Sequence, residues 1–199
     1  VVAPDHQHLV DAPPVEVDDL EIELLPAEAF ADRGQVREFR RALFDDVEFQ
    51  TLDRMAIFEY MIGNTDWSIY ALHNVRLVVT DSVGVLPIPY DFDFSGLVNA
   101  PYAGPAPQLQ IRSVRERLYR GPCRTWDEVA PSVAAFNALK ETIMGLPGRI
   151  PGLERGEVRD AEEFLSGFFQ TTANPGDAKR AFIDGWRKRA KARRATKPG

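Results

Sequence analysis

Apolar side chains recur along this chain first at three- and four-residue spacing, then at every second residue, then at helical spacing again. Val36, Phe39, Leu43 and Val47, with Arg37, Arg40 and Asp46 between them, predict a first helix. A second is predicted over residues 52–62, with Met55, Phe58, Met61 and Ile62 as its apolar face and Gly63-Asn64 as its stop. Two alternating runs follow, residues 75–80 and 85–90. They flank the turn-like tetrapeptide Asp81-Ser82-Val83-Gly84 and predict a β-hairpin. The later half returns to helix. Thr125-Trp126-Asp127-Glu128 is a capping-box pattern, and Val129, Val133, Phe136, Leu139 and Ile143 give one buried stripe behind it. A further helix is predicted over residues 161–169, and Asn174-Pro175, a good N-cap and first-turn pair, opens a last one over residues 177–194. Residues 1–30, through Pro13-Pro14 and the acidic run from Asp18 to Glu23, read as a linker with one short strand near residues 20–25. The fold class this predicts is α+β and mostly helical, with a linker over residues 1–30 and one helical unit over residues 31–199 around a small hairpin.

Composition narrows the class without naming it. At 199 residues with 44% hydrophobic side chains, the chain can fill one core, and a second full domain is not expected. The net charge of −6 argues against a nucleic-acid binder. That charge is uneven: residues 1–60 hold 15 acidic and 5 basic side chains, residues 179–199 hold 9 basic and 1 acidic. The single cysteine, Cys123, excludes an internal disulfide or a cysteine metal cluster. No apolar run is long enough for a membrane span. The chain opens on Val1 in a Pro-, Asp- and Glu-rich stretch, which reads as the middle of a longer protein.

The hairpin carries the chemistry. Folded about the centre of residues 81–84, it sets Val79 against Leu86, Leu77 against Ile88 and Val75 against Tyr90, six apolar side chains on one face. The same register predicts Asn74 directly opposite Asp91 at the open end, as a close non-hydrogen-bonded pair. Pro87 and Pro89 share one parity, so both can face a free edge. An amide oxygen and a carboxylate side by side suit Mg²⁺ or Mn²⁺, and Asp93 can reach the same face. Just upstream, Gly63-Asn64-Thr65-Asp66 places an aspartate in the turn that leaves a helix.

Helix, Asp turn, Asn-led strand and an Asp after the paired strand follow one another in the order of a kinase-type catalytic loop and metal motif. Tyr60-Met61-Ile62-Gly63-Asn64-Thr65-Asp66-Trp67, then His73-Asn74, then Pro89-Tyr90-Asp91-Phe92-Asp93-Phe94 resembles the CotH-type kinase-like family, over about 35 of the 199 residues. The resemblance implies the C-terminal lobe of a protein-kinase-like fold with a small metal-bearing hairpin, using ATP and Mg²⁺ or Mn²⁺. It implies Asp66 as catalytic aspartate, Asn74 and Asp91 as metal ligands and Asp93 in support. The acceptor would be a protein or a small molecule, and the relatives' coat association implies an exported protein. The pattern departs from ordinary protein kinases in two ways. Asp66 and Asn74 lie eight apart rather than at the D-x-x-x-x-N spacing, and no lysine or Gly-rich loop precedes Asp66, the first lysine being Lys140. The resemblance therefore implies an upstream ATP-holding lobe.

Other side chains are candidates for the same chemistry. His73 and Arg76 flank the Asn74 position. Arg112, Arg115, Arg117, Arg120 and Arg124, with Ile111, Val114 and Leu118 at helical spacing, offer either an exposed helix face or a groove for phosphate, with Arg115, Arg120 and Arg124 as its candidate contacts. Two other functions share the pattern. A hydrophobic strand ending in Asp-Phe-Asp is also how the D-x-D site of a metal-dependent glycosyltransferase looks, although the alternating β and α segments of a nucleotide-sugar-binding sheet are lacking. A non-catalytic interaction module that keeps the kinase shape is the other.

Overall fold

The computed structural model describes residues 41–184 and the backbone of residues 35–36. Its elements in order are β1 (Gln35–Val36), a 3-10 turn (Phe44–Asp46), α1 (Phe49–Ile62), β2 (Val75–Thr80), β3 (Gly84–Pro89), α2 (Trp126–Ala138), α3 (Lys140–Gly145), a second 3-10 turn (Pro147–Arg149), α4 (Arg155–Ala173), α5 (Pro175–Lys179) and a π-helical turn (Arg180–Asp184). The fold is α+β: helices around one small antiparallel sheet in the order β1-β2-β3. The predicted strand at residues 20–25 and the end of the predicted last helix lie outside the described residues. Among the described residues no helix is long and apolar enough to cross a membrane.

α1 is the axis of the molecule. Leu52, Ala56 and Ile57 are fully buried, and residues on its other sides, among them Thr51, Tyr60 and Ile62, are largely buried too. It packs on α2, α4 and β3. Its start is set by Glu48, whose carboxylate accepts from the Gln50 and Thr51 amides at 3.0 and 2.7 Å. Aromatic rings fill the space between elements. Tyr60 of α1 meets Phe182 of the π-helical turn at 5.0 Å, Tyr119 meets Phe182 at 5.2 Å, and Phe136 of α2 meets Phe168 of α4 at 6.0 Å.

Three sequence expectations change. Of the helix predicted from Val36 to Val47, the described residues form none: Gln35 and Val36 pair with Val79 and Val78 as a strand, and residues 41–48 hold only a 3-10 turn. The Asp46 carboxylate takes the Leu43 amide at 2.7 Å and Glu48 donates its own amide to Val85 O at 2.7 Å, so local acceptors and the hairpin outcompete a continuous helix. The arginine-rich run at residues 111–124 is irregular rather than helical, with Val114 and Tyr119 buried. Helix-breaking Pro107 lies just before it and Pro122 within it. The single stripe from Val129 to Ile143 is divided between α2 and α3 at Leu139.

The hairpin forms, but one residue out of the predicted register. Thr80 pairs with Gly84 and Val75 with Pro89. The turn is three residues because the Thr80 hydroxyl accepts from the Val83 and Gly84 amides, both at 3.2 Å, and Gly84 leaves it at φ 101°. A one-residue slip exchanges faces. Leu86 therefore stands opposite Val78 rather than Val79, Ile88 stands opposite Arg76 and is exposed, and Pro87 and Pro89 face Leu77 and Val75.

The irregular run is tied to α1 by one interior ion pair. Arg124 Nε lies 3.2 Å from Asp53 Oδ1, with its guanidinium 4.0 Å from the Phe49 ring centre. Asp53 is completely buried, and burial outweighs the pull of Arg124, lifting its pKa to about 6. Asp53 is thus mostly charged at pH 7 and mostly protonated at pH 5. Arg124→Ala is expected to cost about 3 kcal/mol at pH 7, because it strands a buried charge. The loss should be clearly smaller at pH 5. Urea unfolding at the two pH values reads this out, and equal losses would mean that the buried charge is not what Arg124 answers.

Candidate active site

The site grows from the end of α1. A helix leaves its last four carbonyls without intrahelical partners, and here each finds a donor. Gly63, at φ 69°, closes a Schellman turn: its amide bonds Tyr60 O at 3.2 Å while the Asn64 amide bonds Glu59 O at 2.8 Å. Arg117 Nε donates to Met61 O at 3.1 Å, and the Leu97 amide donates to Ile62 O at 2.9 Å. The turn itself is held the same way. Gly96 N donates to Gly63 O at 3.3 Å, and an Arg120 guanidinium N–H donates to Thr65 O. Inside the turn, Asn64 Oδ1 accepts from the Asp66 amide at 2.9 Å.

Asp66 therefore leaves the turn with a fixed backbone, and two neighbours fix its carboxylate. Asn74 Nδ2 donates to Asp66 O at 2.8 Å and to Oδ2 at 3.1 Å; His73 Nε2 lies 3.0 Å from Oδ1. The Ser68–His73 bridge, with amide-to-carbonyl bonds of 3.0 and 3.1 Å, closes the intervening loop and brings residues eight apart into contact. Asp66 stays 38% exposed, so its oxygens remain reachable from solvent.

Asp91 and Asp93 arrive from the far end of β3. The Tyr90 amide bonds Asn74 O at 3.1 Å, so Tyr90 and not Asp91 stands opposite Asn74, which corrects the side-by-side pair predicted from sequence. The chain turns at this point: Asn74 and Asp91 adopt φ 52° and 59°. Asp91 still belongs to the cluster. Its pKa is raised by the hydrogen bond it shares with Asp93, by the Asp93 charge and further by Asp66, while His73 pulls it down. Asp93 also accepts from the Tyr102 hydroxyl at 3.2 Å.

The arginines proposed for phosphate serve the scaffold. Arg115 makes two bonds to Asp160, at 2.8 and 3.0 Å, and a third to Gly96 O at 3.0 Å; Arg120 and Arg124 hold Thr65 and Asp53. Arg76 lies over the Tyr90 ring at 4.7 Å. Two further residues, Glu59 and Tyr102, stand at the site beyond those the sequence pattern points to. Tyr102 has no sequence signal. Glu59 has one, since it continues the stripe Leu52, Met55, Ala56 at helical spacing and so points a carboxyl into the core.

Chemically, the donors are three carboxylates and an amide. With Asn74 Nδ2 turned to Asp66, Oδ1 is the atom that residue can offer a cation. Such oxygen donors fit Mg²⁺ or Mn²⁺. Among the described residues no three His, Cys, Asp or Glu side chains converge as a metal-holding set, so an ion here would rest on few protein atoms with water or phosphate completing its shell. Compared with protein-family models, curated proteins and solved structures, the chain finds no match.

The close approach of two backbones at Gly63 and Gly96 is what lets the site form. A Cβ on Gly96 would stand 2.3 Å from Val114 O and 2.7 Å from the Phe164 ring. Gly96→Ala is expected to destabilise by roughly 1–3 kcal/mol or more. The amide signals of Gly63 and Asn64 should shift with it, as seen by two-dimensional NMR.

Proposed function

We propose that this chain carries the metal-dependent phosphoryl-transfer centre of a CotH-like, kinase-type enzyme, its residues belonging to the helical lobe of that fold. What supports the reading above all is the contact of Asn74 with Asp66, whose charge is in turn felt at Asp91, 25 residues later at a strand end. In this reading Asp66 accepts or orients the proton of an acceptor hydroxyl. His73 and Asn74 each occupy one of its oxygens and so fix its plane, leaving a lone pair on each for the substrate. Asn74 and Asp91, with Asp93 behind Asp91, are the residues that would hold Mg²⁺ or Mn²⁺. The ion's contribution, when bound, is to neutralise phosphate charge. The nucleotide is ATP, and the acceptor is a protein or a small molecule.

One observation favours a second reading, a non-catalytic module of kinase-like shape. Arg115, Arg120 and Arg124 are engaged by the protein's own groups, and no lysine precedes Lys140 to meet phosphate.

Calorimetry with Mn²⁺ alone, and with ATP in its presence, separates the readings. On the acid side of neutrality the chain is expected to bind Mn²⁺ more tightly as pH rises, because Asp93 raises the pKa of Asp91 and the metal must compete with that proton. Asp91→Ala should lose at least about tenfold in affinity. Asp66→Ala should keep Mn²⁺ affinity but lower transfer about 10²–10⁴-fold. A preference for a nucleoside-diphosphate sugar over ATP would instead bring forward a D-x-D glycosyltransferase. Absence of any metal or nucleotide binding would leave the interaction module.

A further inference from the structure

Glu59 lies in the last turn of α1, four residues before Gly63, and is 1% exposed. Neither carboxyl oxygen has a hydrogen-bond partner among the described residues, and no described cation pairs with it. The group facing it is the side-chain amide of Asn64, itself 1% exposed, whose Nδ2 also lacks a partner in hydrogen-bond geometry. The other end of that same amide, Oδ1, is what holds the Asp66 main chain. Glu59 and Asp66 are therefore linked through one residue: a carboxyl in the core, the Asn64 amide above it, and the aspartate on the surface.

The surroundings decide the charge state. The charged groups packed against the same stretch are Arg117, bound to Met61 O and lying 3.8 Å over the Phe164 ring, and Arg120, bound to Thr65 O; from the surface side the turn meets Asp66 and His73. None of these acts on the Glu59 carboxyl, whose balance is set by burial against the single Asn64 contact. The helix dipole adds to the penalty, since α1 presents its negative end here. Burial moves the Glu59 pKa from 4.5 to about 8.

We propose that Glu59 is a positioning residue held uncharged beneath the Asp66 turn, and that its ionisation draws the Asn64 amide and water toward the new charge, loosening the hold of Asn64 on the turn and making the Asp66 site switch off on the alkaline side through a group no ligand touches. The unfolded chain releases this proton near the ordinary value while the fold keeps it. Stability from this group is accordingly full in acid and falls as pH rises from about 4.5 to 8. The charge then has to find water, and the one group facing it, Asn64, belongs to the turn at residues 63–66.

The switch would matter for phosphoryl transfer only if that reading of the site holds, so the test reads the turn directly. The Glu59 side-chain ¹³C carboxyl shift and the amide signals of Gly63, Asn64 and Asp66 are followed by NMR from pH 5 to 9.5 in the whole chain and in Glu59→Gln. The expected result is one shared titration near pH 8 in the unmodified chain, absent at all three amides in Glu59→Gln. Glu59→Gln should also melt higher at pH 8 while gaining little at pH 5. A carboxyl titrating below pH 6, or amide titrations that persist in Glu59→Gln, would overturn the proposal. Should Glu59→Gln fold poorly, the carboxyl shift in the unmodified chain decides alone. Mg²⁺ binding, measured alongside, is expected to drop at least tenfold from pH 7 to 9 in the unmodified chain and not in Glu59→Gln. Failure of Mg²⁺ to bind at any pH would count against the phosphoryl-transfer reading while leaving the titration result standing.

Discussion

The structure depends on how the open end of α1 is satisfied. A helix buried on nearly every side cannot leave its last carbonyls to water, so donors must be brought to them. The chain meets this with a Schellman turn for Tyr60 and Glu59, the Leu97 amide for Ile62 and the Arg117 side chain for Met61. Each donor comes from a segment that has no regular structure of its own. The run at residues 111–124 and the strand exit at residues 91–97 are thus ordered by what α1 lacks, and in being ordered they set Asp66 and the Asp91–Asp93 pair within each other's field.

Backbone geometry concentrates at the same place. Leu72, Asn74 and Asp91 all adopt positive φ, between 51° and 59°. Asn and Asp enter that region at modest cost because their short polar side chains can bond locally, whereas Leu has no such relief. The conformation at Leu72 is held by the Ser68–His73 bridge, which turns the loop back so that His73 and Asn74 meet Asp66. Strained residues that persist because their surroundings over-determine them are a mark of sites rather than of ordinary loops. This marks the cluster independently of which residues carry charge.

Much of this was legible in the sequence, and the failures have physical causes. α1, the capping box at Thr125 and the Asn174-Pro175 helix start are local signals, read from spacing and side-chain chemistry and present in the fold. The hairpin was legible but its register was not, because Thr80 takes two amides with its hydroxyl and shortens the turn by a residue. The Asn74–Asp91 pairing rested on that register and was lost with it. The Asn74–Asp66 contact depends instead on the loop bridge, which alternation cannot reveal. The arginine run looked helical because Val114 and Leu118 are four apart, yet its burial follows Val114 and Tyr119, five apart, the first against the Gly63–Gly96 contact and the second among the rings of Tyr60 and Phe182.

That run also shows why arginine and not lysine stands there. A guanidinium can give several directed bonds and still sit over a ring, as Arg117 does over Phe164 and Arg124 over Phe49. Arg117 keeps its proton despite burial that lowers its pKa to about 10, so it remains a donor throughout the neutral range. Three of these cations, Arg115, Arg117 and Arg120, reach the carbonyls at and around the negative end of α1, where positive charge is favourable on its own account. Their positions are then explained without any phosphate. Under the phosphoryl-transfer reading the consequence is a division of labour: guanidinium groups build the platform, and phosphate charge has to be met by a metal on Asn74 and Asp91. The carboxylate cluster, where Asp93 and Asp66 raise the pKa of Asp91, is the part of the structure for which that metal would give a reason.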